Sequence, residues 1–256
     1  MTRRIAITRQ VSPAIADCEL THLPRRAIDL ERAREQHRQY ESCLAELGCD
    51  LRSLPAEPEL PDSVFVEDCA VVLDEVAVIT RPGAESRRSE TASVAASLEP
   101  YRSLSRLRAP ATLDGGDVLQ VGRTIYVGLS GRSDERGRDQ LRELLAPHDY
   151  TVRCLDVQRC LHLKSAVTRV AEETLLLNPD WIDPAVFPRL RLIEVDPVEP
   201  DAANALLVGK TVVLPTAFPR TRERLERQGL SVRGVEASEL AKAEGGVTCC
   251  SLLFEA

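Results

Sequence analysis

Histidine is scarce in this 256-residue chain: there are only four, at positions 22, 37, 148 and 162. Chemistry that depends on an imidazole therefore has few candidates. No Cys-x-x-Cys pair occurs among the eight cysteines (18, 43, 49, 69, 154, 160, 249 and 250). That argues against a zinc ribbon or a thioredoxin-type motif, and leaves most of the thiols as small core residues. No apolar run approaches the ~18 residues of a membrane span. Residues 1–9 lack the apolar stretch of a secretion signal, so a cytoplasmic location is expected. An excess of positive charge is also missing. Lys plus Arg total 33 against 40 for Asp plus Glu, a net charge of −7, and an acidic surface repels nucleic-acid phosphates. What is present is ordinary globular composition, 43 % hydrophobic and 29 % charged, in a length sufficient for a real core.

Apolar positions recur at helical spacing from Ile28 to Leu47, with Gly48 as a stop. Residues 133–145 and 219–229 also read as helices, the second entered by Pro219 and left by Gly229. Short β-rich runs are expected at 69–73, 76–80, 117–121, 124–129, 174–178, 205–208, 211–215 and 247–254. Their order is repetitive: two strands joined by a turn, then a helix and a further strand. Four hairpins follow this scheme. A fifth forms if strand 247–254 pairs with the strand at Ile5–Thr8, which closes five units into a ring with few free edges. The expected fold is α/β, a five-bladed propeller of ββαβ-like units in a single domain over 1–256.

The repeat also organises the polar residues. At the start of each hairpin stand Glu67-Asp68, Asp114-Gly-Gly-Asp117, His162-x-Lys164, Asp201-x-x-Asn204 and the GGVTCC run at 245–250. Taken alone, each has a plain reading: a solvated strand end, a turn, a core histidine. Related by rotation, they converge on the axis and line one cavity. There a cysteine and a histidine form a nucleophile and proton-transfer pair. Carboxylates beside a thiol oppose its ionisation unless the substrate itself brings a cation. A planar guanidinium fits that description, because its N–H groups match carboxylate oxygens.

At this level of detail the chain resembles the dimethylarginine dimethylaminohydrolases of the guanidine-modifying (pentein) superfamily. The resemblance runs over essentially the whole chain, through LPDSVFVED at 60–68, ITRPGAESRR at 79–88, TLDGGDVL at 112–119, VGLSGR at 127–132, LHLK at 161–164, AAN at 202–204 and GVTCCS at 246–251. The resemblance implies a five-bladed α/β propeller. It implies that Cys249 is the nucleophile, His162 the general acid/base and Asp114 the carboxylate supporting the histidine. It implies that Asp62, Glu67 and Asp68 surround the guanidinium and the backbone end of the substrate. Arg87 and Arg132 are then expected at its α-carboxylate, and Leu20 and Ala243 at its amino-acid end through main-chain atoms. Cys250, Asp117, Lys164 and Asn204 are expected to give structural support.

The implied reaction is hydrolysis of an Nω-methylated L-arginine to L-citrulline and methylamine or dimethylamine, through a covalent thiouronium on Cys249. The alternatives are a related hydrolase of arginine or citrulline, a catalytically silent binder of arginine analogues, and a zinc-binding regulatory protein. Cys249 and His162 are too few ligands for a structural zinc site. No metal or other cofactor is expected, with zinc at most an inhibitor at Cys249 and His162. The expected partner is a small molecule, not nucleic acid or a membrane. Residues 17–26 lack periodicity and carry Pro24, His22 and several charges, so they are expected to form a lid over the site.

Overall fold

The computed structural model describes residues 3–256. Its strands form five sheets of three strands each. The chain starts with β1 (Arg4–Arg9), crosses through helix α1 (Leu30–Glu46) and returns as β2 (Cys49–Leu54), parallel to β1. The second unit is β3 (Ala70–Val72), β4 (Val76–Ile79), α2 (Thr91–Leu98) and β5 (Ser103–Arg106). The third is β6 (Val118–Val121), β7 (Thr124–Leu129), α3 (Glu135–Leu145) and β8 (Thr151–Asp156). A four-residue helix, α4 (Leu163–Ala166), leads into the fourth unit, β9 (Val167–Ala171), β10 (Thr174–Leu177) and β11 (Arg191–Glu194). The fifth is β12 (Leu206–Val208), β13 (Thr211–Pro215), α5 (Pro219–Arg227) and β14 (Ser231–Val235). After α6 (Ser238–Ala241) the chain ends in β15 (Leu252–Glu255), which pairs antiparallel with β1, Ile5 opposite Phe254. The expected closure of both chain ends into one unit is therefore present.

Each sheet has the same order: a first strand antiparallel to a middle strand, and a third strand parallel to it. The middle strands β4 and β10 are buried at every residue, as expected for strands covered on both faces. The third strands are half-exposed. Gly122 and Gly209 adopt positive φ (+56° and +63°) in the tight turns β6–β7 and β12–β13, a conformation that disfavours other residues. Helix α1 is capped by Asp29, which accepts from the Arg32 amide at 3.1 Å, and α3 by Asp134, which accepts from the Gly137 amide at 2.8 Å.

The apolar residues show why five units make a ring. They fall into five clusters, each joining two neighbouring sheets. Ile5, Ile7 and Phe254 pack with Ala77 and Ile79. Val76 and Val78 pack with Ile125 and Val127. Leu119 and Tyr126 pack with Leu175 and Leu177. Val170 and Leu176 pack with Val212 and Leu214. Val208 and Val213 pack with Ala6 and α1, which returns to the first unit. No unit buries its own apolar surface alone, so each is stabilised by both neighbours.

Two expectations need correction. The fourth unit has no crossover helix, only a 3-10 turn at Pro184–Val186. Prolines at 184 and 188 leave too little uninterrupted chain for one. The last strand is also shorter than 247–254: residues 247–250 are turn, and β15 begins at Leu252. Among the described residues no helix is long and apolar enough to cross a membrane.

Candidate active site

The residue groups singled out in the sequence occupy one position in the architecture, just ahead of the first strand of a unit. Glu67 and Asp68 lie in the 3-10 turn Val66–Cys69 before β3. Asp114 precedes the turn Gly115–Asp117 before β6. His162 immediately precedes α4, ahead of β9. Asn204 follows the turn Pro200–Ala203 before β12, and Cys249 lies in the turn before β15.

Seven of the ten expected site residues line one narrow recess of about 20 Å³: Asp62, Asp68, Arg87, Arg132, His162, Ala243 and Cys249. The other three stand elsewhere. Asp114 is fully buried behind the histidine. Glu67 does not line the recess. Its carboxylate accepts from Lys164 Nζ at 2.6 Å and from Thr248 Oγ1 at 2.7 Å, so it braces the turn that carries Cys249. Leu20 packs against the apolar cluster that includes Tyr40 and Phe65, and its neighbour Glu19 lines the recess instead.

The histidine is held from both sides. Its Nε2 lies 3.1 Å from Asp114 Oδ2 and its Nδ1 3.8 Å from Asp68 Oδ1. Asp114 Oδ1 is itself fixed by the Gly83 amide at 2.8 Å. The backbone ahead of α4 is set by Asp117, which accepts from the Leu163 amide at 2.8 Å and from the hydroxyls of Ser130 and Ser133, each at 2.6 Å. Gly116 passes so close that a Cβ there would lie 2.6 Å from the histidine Nδ1. Burial alone would lower the His162 pKa. The carboxylates of Asp68, Asp117 and Asp114 outweigh it and raise the ring to about 9.

Burial acts the other way on Asp68, favouring its neutral form, but the His162 ring and the Arg87 guanidinium hold it at about 2. Arg87 donates to Asp68 Oδ2 at 2.7 Å, to both oxygens of Glu90 at 3.2 and 2.9 Å, and to the Phe65 carbonyl at 3.1 Å. Most of its donors are thus spent inside the protein, on fixing Asp68 and the turn that bears it. Arg132 is less engaged. Its Nη2 donates to Thr21 Oγ1 at 2.9 Å.

Cys249 accepts from the Gly246 amide at 3.3 Å. Burial raises its thiol to about 12, and Glu67 and Asp68 add to the rise. The turn around it is clamped by Asn204, whose amide group bonds the Thr248 backbone N–H at 3.1 Å and its hydroxyl at 3.0 Å. Gly246 packs on that amide with no room for a Cβ. Cys250 faces the other way, toward Gln36, His37 and Tyr40 behind the turn. Because both cysteines lie in a turn, strand alternation does not distinguish them; the side each faces does.

Sequence reading missed Glu244. It has φ +59°, lines the recess, and its carboxylate accepts from the backbone amides of Thr21, His22 and Leu23 at 3.0, 2.5 and 2.6 Å. Asp62 accepts from the Glu19 amide at 3.0 Å, and burial raises its pKa. The segment expected as a lid is therefore pinned at Asp62, Glu244 and Arg132. Among the described residues, the groups close enough together to share a cation are Asp68, Asp114 and His162, all buried. In that trio the imidazole already bridges the two carboxylates.

A family model described as N,N dimethylarginine dimethylhydrolase, eukaryotic, matches residues 21–190. The N(G),N(G)-dimethylarginine dimethylaminohydrolase of Streptomyces coelicolor is 40 % identical over 254 residues, covering 98 % of this chain and 97 % of its own. The chain belongs to the dimethylarginine dimethylaminohydrolase family. It is thus a hydrolase of C–N bonds in linear amidines. The enzyme of Pseudomonas aeruginosa, solved as a cysteine-to-serine variant with citrulline, superposes with a TM-score of 0.95 at 34 % identity, over 99 % of this chain and 100 % of that one. A cyanobacterial arginine dihydrolase N-terminal domain, 21 % identical over 98 % of this chain and 97 % of its own, shares the propeller fold with a TM-score of 0.85. The five units are therefore the pentein architecture of the dimethylarginine dimethylaminohydrolases.

Proposed function

We propose that the protein hydrolyses Nω-methylated L-arginine, dimethyl or monomethyl, to L-citrulline and dimethylamine or methylamine, with Cys249 as the covalent nucleophile. The observation that carries this reading is the orientation of His162. Asp114 occupies Nε2, which leaves Nδ1 on the side of Asp68, and His162, Asp68 and Cys249 line one recess.

With the thiol near 12 and the imidazole near 9, both hold their protons at neutral pH. A substrate guanidinium beside Asp68 supplies the positive charge that the thiolate lacks, so the nucleophile ionises when substrate binds and its proton leaves to solvent. The sulfur attacks Cζ and the bond to the substituted nitrogen breaks. The protonated His162 gives its Nδ1 proton to the departing amine. The neutral ring then takes a proton from water as the oxygen attacks Cζ of the thiouronium, and the S–C bond breaks, the second water proton passing to the departing sulfur, to release citrulline and restore the thiol. Glu67 holds the nucleophile turn, and Asp68 holds the guanidinium plane. Arg132 and the free N–H of Arg87 receive the α-carboxylate, and Asp62 the α-ammonium. The recess is narrow, about 20 Å³, and residues 17–26 lift to admit an amino acid. That segment is the lid, and Glu244 is its latch.

The dimethylarginine hydrolysis named for the relatives and the citrulline complex of the Pseudomonas enzyme support this reading. The test is incubation with dimethylarginine, monomethylarginine, arginine and citrulline, measuring citrulline, ammonia and alkylamines. Citrulline with a stoichiometric alkylamine is expected. Ammonia from plain arginine at a comparable kcat/KM would replace this reading with an arginine hydrolase. Binding without any product would make the protein a silent binder.

A further inference from the structure

A second cavity, of about 500 Å³, also reaches Cys249. It adjoins the recess, sharing three of its lining residues, Cys249, Leu161 and Glu244. The charged groups suited to an amino-acid end, Asp62, Arg87 and Arg132, all lie on the recess side. The cavity side is built differently, from apolar surface that includes Leu23, Leu161, Trp181 and Phe218, with acidic Asp201 and Glu236 at its edge. Its size falls within the ~300–1,000 Å³ typical of small-molecule pockets. An enzyme releasing only methylamine or dimethylamine has no use for that much apolar space next to its nucleophile.

We propose that this cavity receives the Nω-substituent of the substrate, and that the enzyme accepts L-arginines whose Nω carries an alkyl or arylalkyl group much larger than methyl. The inference rests on the reading of the site as a methylarginine hydrolase and extends its substrate class. With the amino-acid end in the recess and Cζ at the sulfur, the guanidinium lies where the two spaces meet, at the shared residues Cys249 and Leu161. Leu161, the residue before the proton donor His162, lines both, so a substituent on the departing nitrogen passes it into the cavity. The balance is unchanged: Nω-alkylarginine plus water gives citrulline plus the primary amine, with the leaving proton supplied through His162. The charge of the lining sets a second discrimination. Asp201, Glu236 and Glu244 outnumber Arg159, so a carboxylate on the substituent is disfavoured while a neutral ring is accommodated.

The experiment compares monomethyl-, propyl-, benzyl- and carboxymethyl-substituted L-arginine, reading citrulline and the released amine, in the wild type and in Ala217→Trp and Ala241→Trp. Both alanines are exposed residues that line the cavity. The benzyl compound should be turned over with a kcat/KM within about tenfold of the methyl compound, and the carboxymethyl compound much more slowly. Filling the cavity should lower benzylarginine turnover at least tenfold in one or both variants and leave methylarginine within twofold. Turnover of methylarginine with no benzylamine release overturns the inference and leaves the proposed function standing. Benzylarginine turnover unaffected by either variant overturns it too, because the ring then lies elsewhere. Failure of all the methylated substrates would remove the underlying reading, and this one with it.

Discussion

The protonation state of Cys249 gives the most direct test of the mechanism. Its thiol is raised to about 12 by burial, with the carboxylates of Glu67 and Asp68 adding to the shift. At pH 8 such a thiol is ~0.01 % ionised, against roughly a quarter for an unperturbed cysteine of pKa ~8.5. A thiolate of higher pKa is also intrinsically more nucleophilic, by a factor of roughly 40 over that interval. The two effects leave Cys249 about 50-fold slower than an ordinary thiol toward a neutral alkylating agent. Its rate should climb tenfold per pH unit with no plateau through pH 10. The assay is the rate of activity loss with iodoacetamide as a function of pH. Activity is followed instead of total thiol because Cys154 is exposed and reacts on its own account. Glu67→Gln removes one opposing carboxylate and frees the Lys164 cation that it pairs with. Two unit charges ~5 Å apart in an effective dielectric of ~20 interact by about 3 kcal/mol, or about two pKa units, which sets the order of the effect. Inactivation at pH 8 should then rise at least tenfold. The reagent 2-bromoethylammonium carries its own cation and should outpace iodoacetamide beyond their intrinsic difference. A wild-type rate that levels off at or below pH 9 would refute the reasoning, since the thiolate would then be formed before substrate binds.

Three further outcomes follow from the site. Cys249→Ser should abolish citrulline formation while Cys250→Ser retains most of it, measured by steady-state kinetics, because only Cys249 lines the recess; equal losses would undo the assignment. In an NMR titration of labelled histidines His162 should change charge near pH 9, and Asp114→Asn should lower that midpoint. Its raised pKa means that the favourable charge of His162 contributes fully to stability below the unfolded value of ~6.5 and is lost as pH rises through about 9; a midpoint at or below 6.5 would show that burial dominates. Lys164→Met leaves Glu67 buried with Thr248 as its remaining donor, so urea denaturation should show a loss of ~3–5 kcal/mol, mostly restored by adding Glu67→Gln; an unchanged midpoint in the single variant would mean that the carboxylate finds water.

The ring was legible in the sequence because its hairpins are punctuated. Gly122 and Gly209 mark two of the tight turns, and the apolar runs on either side of them are short enough to be strands and nothing else. The fourth unit was less legible. A helix was expected there by analogy with the other units, whereas Pro184 and Pro188 limit the segment to a single 3-10 turn. In the site, Asp68, His162 and Cys249, at equivalent places in the repeat, line one recess, and Asp114 stands behind the histidine at 3.1 Å. What the sequence could not show was how the carboxylates divide their work. Glu67 and Asp68 are adjacent in the chain, yet one faces Lys164 and Thr248 and the other Arg87 and His162. Glu244 was invisible for a related reason. Its partners are amides of residues 21–23, more than 200 positions away in the chain, and backbone donors leave no trace in composition.

The pairing of β1 with β15 joins residues about 250 apart, and closing a loop of that length costs on the order of 5 kcal/mol in chain entropy. The turn bearing Cys249 leads directly into β15. The last step in closing the ring is therefore also the step that puts the nucleophile in place. In a chain whose other four units had formed but whose ends had not met, Cys249 would stand away from Glu67, Asp68 and His162, an ordinary thiol with no proton donor. Partly folded molecules would be inert toward substrate yet readily alkylated. Catalytic activity and thiol reactivity would thus move in opposite directions as the protein folds.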